Sequence, residues 1–281
     1  MKKLKLSQLK LIADTVIFLF LAACSVIMLY PFIWMIFTSL KPKMHIYLGG
    51  LLPQTWDFSS YLQIWQEIPL FRGFLNTILY AVPPVVVGAL VSVAAAFALA
   101  KIRFKGRNVV FLILLSMIMI PFPTIMIPQF VLFNQMRLLT SPWPLILPKL
   151  TGNVLMIFFI RQYMSSVPDS VIEAAKIDGC NYFQIYSRII LHLVGPALAA
   201  HGVLWFIGAW NDYLGPTIFI RNQAWEPVTV LIAKFNAQYT VNTHVPRMMA
   251  GSLVLLAPVL VIYGIFQKWI IASVMFSSVK E

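Results

Sequence analysis

Long apolar stretches alternate with short charged segments along the whole chain. A helix that crosses a bilayer needs roughly 20 mostly apolar residues, and six stretches reach or approach this length. They cover residues 13–37, 74–100, 109–133, 145–159, 194–213 and 248–271. The pattern predicts an all-α, polytopic membrane protein with about six transmembrane helices.

Three of these spans carry residues that shape a helix locally. Pro148 and Lys149 interrupt the start of the fourth span, which is the weakest of the six. The third span contains prolines, which remove backbone donors and predict a bent helix; they are Pro121, Pro123 and Pro128. The second span has small residues at steps of four, which we expect to serve close internal packing; they are Gly88, Ser92, Ala96 and Ala100.

The composition agrees with a membrane location, and the arrangement of charge argues against one class of function. Of 281 residues, 60% are hydrophobic and 11% are charged, whereas about a quarter of the residues in a soluble domain are charged. The net charge of +12 comes from basic clusters beside the apolar stretches, which argues against nucleic-acid binding. Two cysteines offer no disulfide framework. Neither a linker nor a separate soluble domain is visible, so residues 1–281 are predicted to form one membrane domain.

The distribution of basic residues predicts the orientation in the membrane. An even number of spans places both termini on one side, together with the loop after the fourth span. That side holds the larger share of the Lys and Arg residues, including the groups at 2–10 and 101–107. Because basic loops are retained in the cytoplasm, both termini and the loop at about 165–192 are predicted to be cytoplasmic.

The loop at about 165–192 is too long and too ordered for a simple connector. Ser170 followed by Glu173 fits a capping box, so a short helix should start after Pro168. Gly179 stands where a left-handed residue would end that helix. The first half of the loop is therefore predicted to be a short, well-delimited helix.

A second short helix should follow, because Asn181 and Gln184 give another capping signal. The two helices would be joined by a sharp bend. One face of the first helix holds, by helical spacing, Val171, Ala174, Ala175 and Asp178. The two alanines would let the backbone of another protein come close, and nothing in the loop can bind ATP or hydrolyse a substrate.

The same loop carries a resemblance to a known family. The residues Glu173-Ala174-Ala175, Gly179, Ile189 and Leu191 match the spacing EAA-x3-G-x9-I-x-L-P, the EAA loop of ABC importer permeases. The chain resembles the maltose-type, carbohydrate-uptake branch in particular, through Ile177-Asp178-Gly179, Trp210-Asn211-Asp212, Phe266-Gln267 and Ser278-Val279-Lys280. His192 replaces the proline that ends the family pattern, and Gly195-Pro196 could supply a helix break instead.

The resemblance implies a cytoplasmic coupling helix that docks in a groove of an ATPase subunit. ATP would be bound by that ATPase, so this chain would hold no cofactor and have no enzymatic activity. The residues implied in coupling are Glu173 for a polar contact, Ala174 and Ala175 for the fit, Asp178, and Gly179 for the bend. A second homologous permease and an extracytoplasmic solute-binding protein would complete an importer in the bacterial cytoplasmic membrane.

Two further regions are expected to serve transport of a sugar or oligosaccharide. Trp210, Asn211 and Asp212 end the fifth span and are candidates for the translocation pathway, since an acidic residue near membrane depth indicates function. The outer loop at about 221–247 contains Trp225, Tyr239 and Asn242. By resemblance, it would reach into the cleft of the binding protein.

Three alternative functions stay open at this point. The chain could be a permease for another solute, such as a glycerol phosphate ester or a polyol. A secondary transporter or channel would instead need paired charges near the bilayer midplane and two similar halves, and neither is clear in the sequence. A membrane-embedded enzyme has no support from a metal-binding or nucleophile motif.

Overall fold

The computed structural model describes residues 6–241 and 244–278, and within these ranges the chain is helical with no β-strand. The α-helices are α1 Leu6–Ser39, α2 Ser59–Glu67, α3 Leu70–Lys101, α4 Arg107–Ile118, α5 Phe122–Gln135, α6 Trp143–Leu150, α7 Val154–Met164, α8 Asp169–Ile177, α9 Tyr182–Gln184, α10 Leu191–Leu193, α11 Gly195–Trp210, α12 Leu214–Phe219, α13 Val228–Val241 and α14 Val245–Ser278. Short 3-10 helices cover Lys43–Leu48 and Gln223–Trp225, and a π-helical segment covers Ile185–Ile190.

The number of membrane spans agrees with the sequence prediction. Four helical stretches in the described residues are long and apolar enough to cross a bilayer: Lys10–Ser39, Leu70–Lys101, Trp143–Met164 and Val245–Lys268. Two helix pairs would each add a bent span. The prediction of an all-α protein with about six transmembrane helices is therefore confirmed.

The two bent spans are the third and the fifth. Helices α4 and α5 meet at 95°, and the helical run Tyr182–Leu193 meets α11 at 76°. Pro121 stands immediately before α5, where a residue without an N–H group is tolerated at a helix start. The bend predicted from the prolines of the third span is confirmed. The fifth span begins earlier than predicted, because the helical run that leads into α11 already starts at Tyr182, within the loop at about 165–192.

The residues group into two compact units. One combines the segment up to Ile68 with Ile232–Val254, and the other combines Pro69–Leu231 with the segment from Leu255 onward.

In the first unit, hydrogen bonds fix the turn that follows α1. The hydroxyl groups of Ser39 and Tyr61 lie 2.7 Å apart. The ammonium group of Lys41 donates to the carbonyl oxygen of Gly50 at 2.7 Å and is buried. Most large apolar side chains of α1 are exposed, as is typical of a helix that faces lipid or another membrane subunit.

In the second unit, α3 is the central helix. It packs against α6, α7 and α11, and Val93 and Ala96 on α3 are fully buried in the core that results. Gly88 marks the closest approach. A methyl group added there would overlap the carbonyl oxygen of Lys149 and the ring of Trp205, so internal packing is the role of this small-residue stripe.

A hydroxyl group on α3 stabilises the break in the fourth span. Ser92 donates its hydroxyl hydrogen to the carbonyl oxygen of Gly88 and accepts the N–H of Asn153 at 2.8 Å. The Asn153 side chain in turn accepts the N–H of Met156 and caps α7. Gly152 adopts a positive φ of 109° at this break. The fourth span is thus two stacked helices, and it extends beyond the predicted 145–159 at both ends.

Candidate coupling element and polar site

Helix α8 begins at Asp169, directly after Pro168. The Lys101 ammonium group donates to the Asp169 carboxylate and to the carbonyl oxygen of Val167, each at 2.6 Å. The hydrogen bond from Lys101 lowers the pKa of Asp169. The resulting carboxylate in the first turn suits the positive end of a helix.

The predicted capping box between Ser170 and Glu173 is wrong. Among the described residues no side chain caps the start of α8, because the helix begins at Asp169, two residues before the start that a Ser170 cap would give, and Ser170 already lies inside its first turn. The ion pair with Lys101 accounts for the shift, since it holds Asp169 at the first helical position.

The end of α8 follows the prediction. Gly179 has a φ of +80°, a left-handed conformation that favours glycine. Its N–H donates to the carbonyl oxygen of Lys176, and the N–H of Cys180 donates to that of Ala175. These two bonds form a Schellman motif, which turns the chain sharply after the helix.

The second predicted helix start is also confirmed. The Asn181 side chain accepts the N–H of Gln184, and the Gln184 side chain accepts the N–H of Asn181, completing a capping box. The helix that follows changes to π-helical geometry over Ile185–Ile190. Such segments are rare and often stand at functional positions.

The two helices are anchored to the second unit by apolar contacts. Ile172 and Ala175 of α8 are buried in the same core as Ile185 and Ile190 of the π-helical segment. The hydroxyl of Tyr186 donates to the carbonyl oxygen of Leu90 on α3 at 2.9 Å. Helix α8 and the π-helical segment therefore share one apolar core with the central helix α3.

The exposed face of α8 differs from the predicted one. Glu173, Ala174 and Asp178 are exposed, but Ala175 is only 5% exposed and packs inward. The prediction that both alanines lie on the face offered to a partner is wrong for Ala175. Ala175 is part of the buried core, and its small side chain lets α8 pack closely against the rest of that core.

Two exposed apolar residues were missed by the sequence reasoning. Ile177 at the end of α8 is 86% exposed, and Phe183 at the start of the next helix is 73% exposed. The sequence could have indicated the exposure of Ile177, because helical spacing puts this residue on a different face of α8 from Ile172 and Ala175. Both side chains therefore lie outside the apolar core that holds Ile172 and Ala175.

The helix break near His192 occurs where Gly195-Pro196 predicted it. The run Tyr182–Leu193 ends, Val194 is fully buried at the corner, and α11 starts at Gly195. Pro196 lies in the first turn of α11, where its missing N–H costs nothing. The local bend is thus preserved although the family proline is absent.

The candidate pathway residues at the end of α11 have different environments. Trp210 is buried, packs against Phe74 and Phe206, and donates its ring N–H to the carbonyl oxygen of Leu255 at 3.3 Å. Asn211 is exposed, and among the described residues its side chain donates to the carbonyl oxygen of Ile207 in α11. Asp212 follows at a partly exposed position.

Asp212 joins three segments of the second unit. Its carboxylate accepts a charged hydrogen bond from Lys149 at 3.2 Å and the N–H of Gly215 at 3.0 Å. Its main-chain carbonyl oxygen accepts the hydroxyl of Thr229 at 3.0 Å. The side chains of Asp212 and Lys149 are 28% and 29% exposed. The sequence had placed Lys149 only as an interruption of the fourth span, and its partner lies 63 residues away.

Comparison with known proteins identifies the family. Residues 88–275 match the family described as "Binding-protein-dependent transport system inner membrane component". The chain belongs to this family. The matched range includes α8, the π-helical segment and the Lys149–Asp212 pair. That all 281 residues form a single permease domain stays a prediction.

Individual relatives match over nearly the whole chain. The arabinooligosaccharides transport system permease protein AraQ of Halalkalibacterium halodurans is 31% identical over 271 residues, which is 95% of both chains. The probable starch degradation products transport system permease protein AmyC of Thermoanaerobacterium thermosulfurigenes is 29% identical and covers 92% of this chain and 93% of its own.

A solved structure has the same fold. A chain of a bacterial ABC transporter involved in the import of the acidic polysaccharide alginate superposes with a TM-score of 0.80 at 27% identity, covering 95% of this chain and 99% of that one. This protein is thus a multi-pass membrane permease of a binding-protein-dependent transport system and not an enzyme. The alternative of a secondary transporter is set aside.

The predicted outer loop of this permease is largely helical. Helix α13 occupies Val228–Val241, and Val228 and Val230 at its start are buried. The carbonyl oxygen of Trp225 accepts the hydroxyl of Tyr80 at 2.7 Å. The segment predicted as an outer loop over 221–247 is therefore helical over most of its length, and its contact with a binding protein stays a prediction. Asn242 lies outside the described residues, and Tyr239 is described only as part of α13.

The Lys149–Asp212 pair of the permease yields a prediction for a double-mutant cycle. We expect Lys149→Met and Asp212→Asn each to destabilise the protein, because each leaves the other charge without its partner. The double variant should lose less than the sum, by about 0.5–3 kcal/mol, as for other contacting groups. Thermal midpoints of the purified permease in one detergent measure the coupling. Additive losses would show that the pair contributes no net interaction.

Proposed function

We propose that this permease carries a sugar or oligosaccharide inward across the bacterial cytoplasmic membrane, driven by ATP hydrolysis on a separate ATPase. The near full-length similarity to permeases named for arabinooligosaccharides and starch degradation products carries the proposal. A polyol or glycerol phosphate ester is the second candidate solute, since the determinants of the solute are shared among several subunits.

The coupling element supplies the mechanical part of the proposal. Helix α8 offers Glu173, Ala174 and Ile177 on an exposed surface, while its opposite face is anchored in the core through Ile172 and Ala175. A partner that grips the exposed face can move the helix without unfolding it. Glu173 and Asp178 would provide polar contacts, and Gly179 would preserve the turn to the next helix.

The movement would reach the membrane through the π-helical segment. Tyr186 connects that segment to α3, and the same run ends at the bend before α11. Helix α11 leads to the Trp210-Asn211-Asp212 group. We therefore assign Asn211 and Asp212 to the translocation pathway, and Trp210 to positioning, because its side chain is enclosed by its own chain. Alternating access requires such an element to have two packed states.

The proposed assembly contains two ATPase subunits, a second homologous permease and an extracytoplasmic binding protein. A related structure is described as an alginate transporter in complex with an alginate pentasaccharide-bound periplasmic protein. The basic clusters support an orientation in which the termini and the coupling helix α8 are cytoplasmic. The outer side would then be available to a binding protein, and ATP would be bound only by the ATPase.

Reconstitution tests the proposed function. The permease is purified with its co-expressed ATPase and partner permease, placed in liposomes, and supplied with the binding protein. We expect ATP hydrolysis and uptake to rise with arabino- or malto-oligosaccharides. Stimulation by a glycerol phosphate ester or polyol alone would favour the second candidate. Uptake without any ATPase would contradict the proposal.

A further inference from the structure

A polar pocket of about 470 Å³ lies where α3 and α7 end and α4 and α8 begin. It is next to the coupling element but separate from the exposed residues that we assign to the ATPase contact. Polar and charged groups that line it are Lys101, Arg107, Arg161, Ser165, Ser166 and Asp169. Membership of the family does not by itself explain this pocket.

The pocket has an excess of positive charge. Its three cationic side chains face one carboxylate, which leaves a net charge of +2. Lys101 neutralises that carboxylate through the short bond to Asp169, so the two arginines account for the excess. Arg103 and Lys105 lie just outside on an exposed turn and add to the positive field.

The two arginines are held by weak or single bonds and keep free donors. A guanidinium group has five N–H donors. Within residues 6–241 and 244–278, Arg161 donates one to the carbonyl oxygen of Leu99 at 3.3 Å, and Arg107 donates one to that of Ala100 at 3.5 Å. The Arg161 guanidinium also lies 3.9 Å from the ring centre of Phe111, which fixes its plane. The remaining N–H groups are suited to a tetrahedral anion, which arginine recognises through paired donors.

The apolar surroundings indicate where that anion comes from. The pocket opens at the basic ends of membrane spans, the depth at which lipid headgroups lie. Phe104 and Val109 beside it are 43% and 59% exposed, and no described residue of α4 is buried. Cations at the end of a helix pair that we propose to face the cytoplasm, next to exposed apolar side chains, match a phosphate that carries acyl chains.

We propose that this pocket binds a phosphate group, in the form of the headgroup of an anionic phospholipid. Arg107 and Arg161 contact the phosphate oxygens. The hydroxyls of Ser165 and Ser166 donate to the carbonyl oxygens of Gln162 and Tyr163, so they line the pocket with oxygens that can only accept a hydrogen bond from the headgroup. The acyl chains lie along the exposed side of α4. A bound lipid would brace the start of α8, since Asp169 and Lys101 line the same pocket.

Lipid retention by the full-length permease tests the proposal. The protein is purified in mild detergent and titrated with phosphatidylglycerol or with phosphatidylcholine of the same acyl chains, and bound lipid is counted by native mass spectrometry. A third arm adds inorganic phosphate and glycerol phosphate. We expect preference for phosphatidylglycerol, with affinity reduced about fivefold by Arg107→Gln, the effect of one basic residue near a membrane surface.

Matched variants separate the pocket from the general surface charge. Arg188→Gln removes one exposed positive charge on the same side but outside the pocket, and it should leave binding unchanged. Ser166→Asp adds a negative charge at the pocket while leaving both arginines, and it should reduce binding as strongly as Arg107→Gln. Thermal unfolding of each variant without added lipid confirms that it is folded.

The outcomes are distinct. Arginine-dependent binding of phosphatidylglycerol supports the lipid, whereas arginine-dependent binding of the soluble phosphates alone supports a phosphate site with a soluble ligand. If Arg107→Gln and Arg188→Gln reduce the affinity for phosphatidylglycerol equally, the lipid is held by the general surface charge and the proposed pocket site is overturned. Loss of the ATPase from Arg107→Gln with unchanged lipid binding also overturns it and makes the patch a protein contact. None of these results depends on which solute is transported.

Discussion

Replacing Ile177 with lysine is expected to release the ATPase from the permease while leaving the permease folded. The Ile177 side chain is 86% exposed at the end of α8, so its removal costs the isolated chain nothing. Burial of an isoleucine side chain in an interface contributes about 1.5–3 kcal/mol. We therefore expect the ATPase to bind about 10- to 100-fold more weakly, and solute-stimulated ATP hydrolysis to fall in step.

Quantitative copurification from membranes in mild detergent measures this effect. Gln162→Lys is the matched control, because it adds the same charge at an exposed position in the last turn of α7, outside the loop. A basic residue is favourable at the end of either helix, so neither variant should melt its helix. Ile177→Leu should retain the ATPase. If Ile177→Lys keeps a full complement of ATPase, the exposed face of α8 is not the contact and the coupling proposal fails.

Replacing Gly88 with alanine is expected to destabilise the permease by about 1–3 kcal/mol, the usual effect of an additional group in a packed core. The added methyl would overlap the carbonyl oxygen of Lys149 and the Trp205 ring. The carbonyl belongs to the backbone of α6, so relief requires the whole helix to move. Such a movement would also shift the Lys149 side chain away from Asp212.

The temperature at which half of the protein loses its monodisperse form measures the change. Gly208→Ala in α11 is the control, because no atom of the described residues lies within 4 Å of the added methyl. Alanine is better than glycine in a helix by about 1 kcal/mol, so this variant should be neutral or more stable. Equal behaviour of the two variants would show that α3 and α6 are not closely packed at Gly88.

Local signals in the coupling loop were read correctly where they depend on the backbone of a few residues. Gly179 adopts the left-handed conformation at the predicted position, and Asn181 and Gln184 form the predicted capping box. Both motifs form within the segment itself, so the sequence suffices. The Ser170–Glu173 capping box fails because Lys101, distant in the chain, fixes Asp169 at the helix start.

Assignments that depend on long-range contacts were beyond the sequence. The burial of Ala175 and the exposure of Ile177 depend on where α8 rests against the core. Most of the predicted outer loop is helical, and the helix starts with the buried residues Val228 and Val230. Their burial could not be predicted from the local sequence. The ion pair between Lys149 and Asp212 depends on the packing of α6 against the end of α11, which the sequence does not show.

The sequence by itself determined that this protein is a helical membrane permease. Apolar length, the asymmetry of basic residues and the spacing around Glu173 and Gly179 are properties of a linear chain, and the bilayer converts them into spans and sides. The tertiary structure decided which side chains of α8 are offered to a partner, and it brought Lys149 to Asp212 and Arg107 to Arg161. These pairings join residues 63 and 54 positions apart, and only the packing of helices around α3 sets such distances.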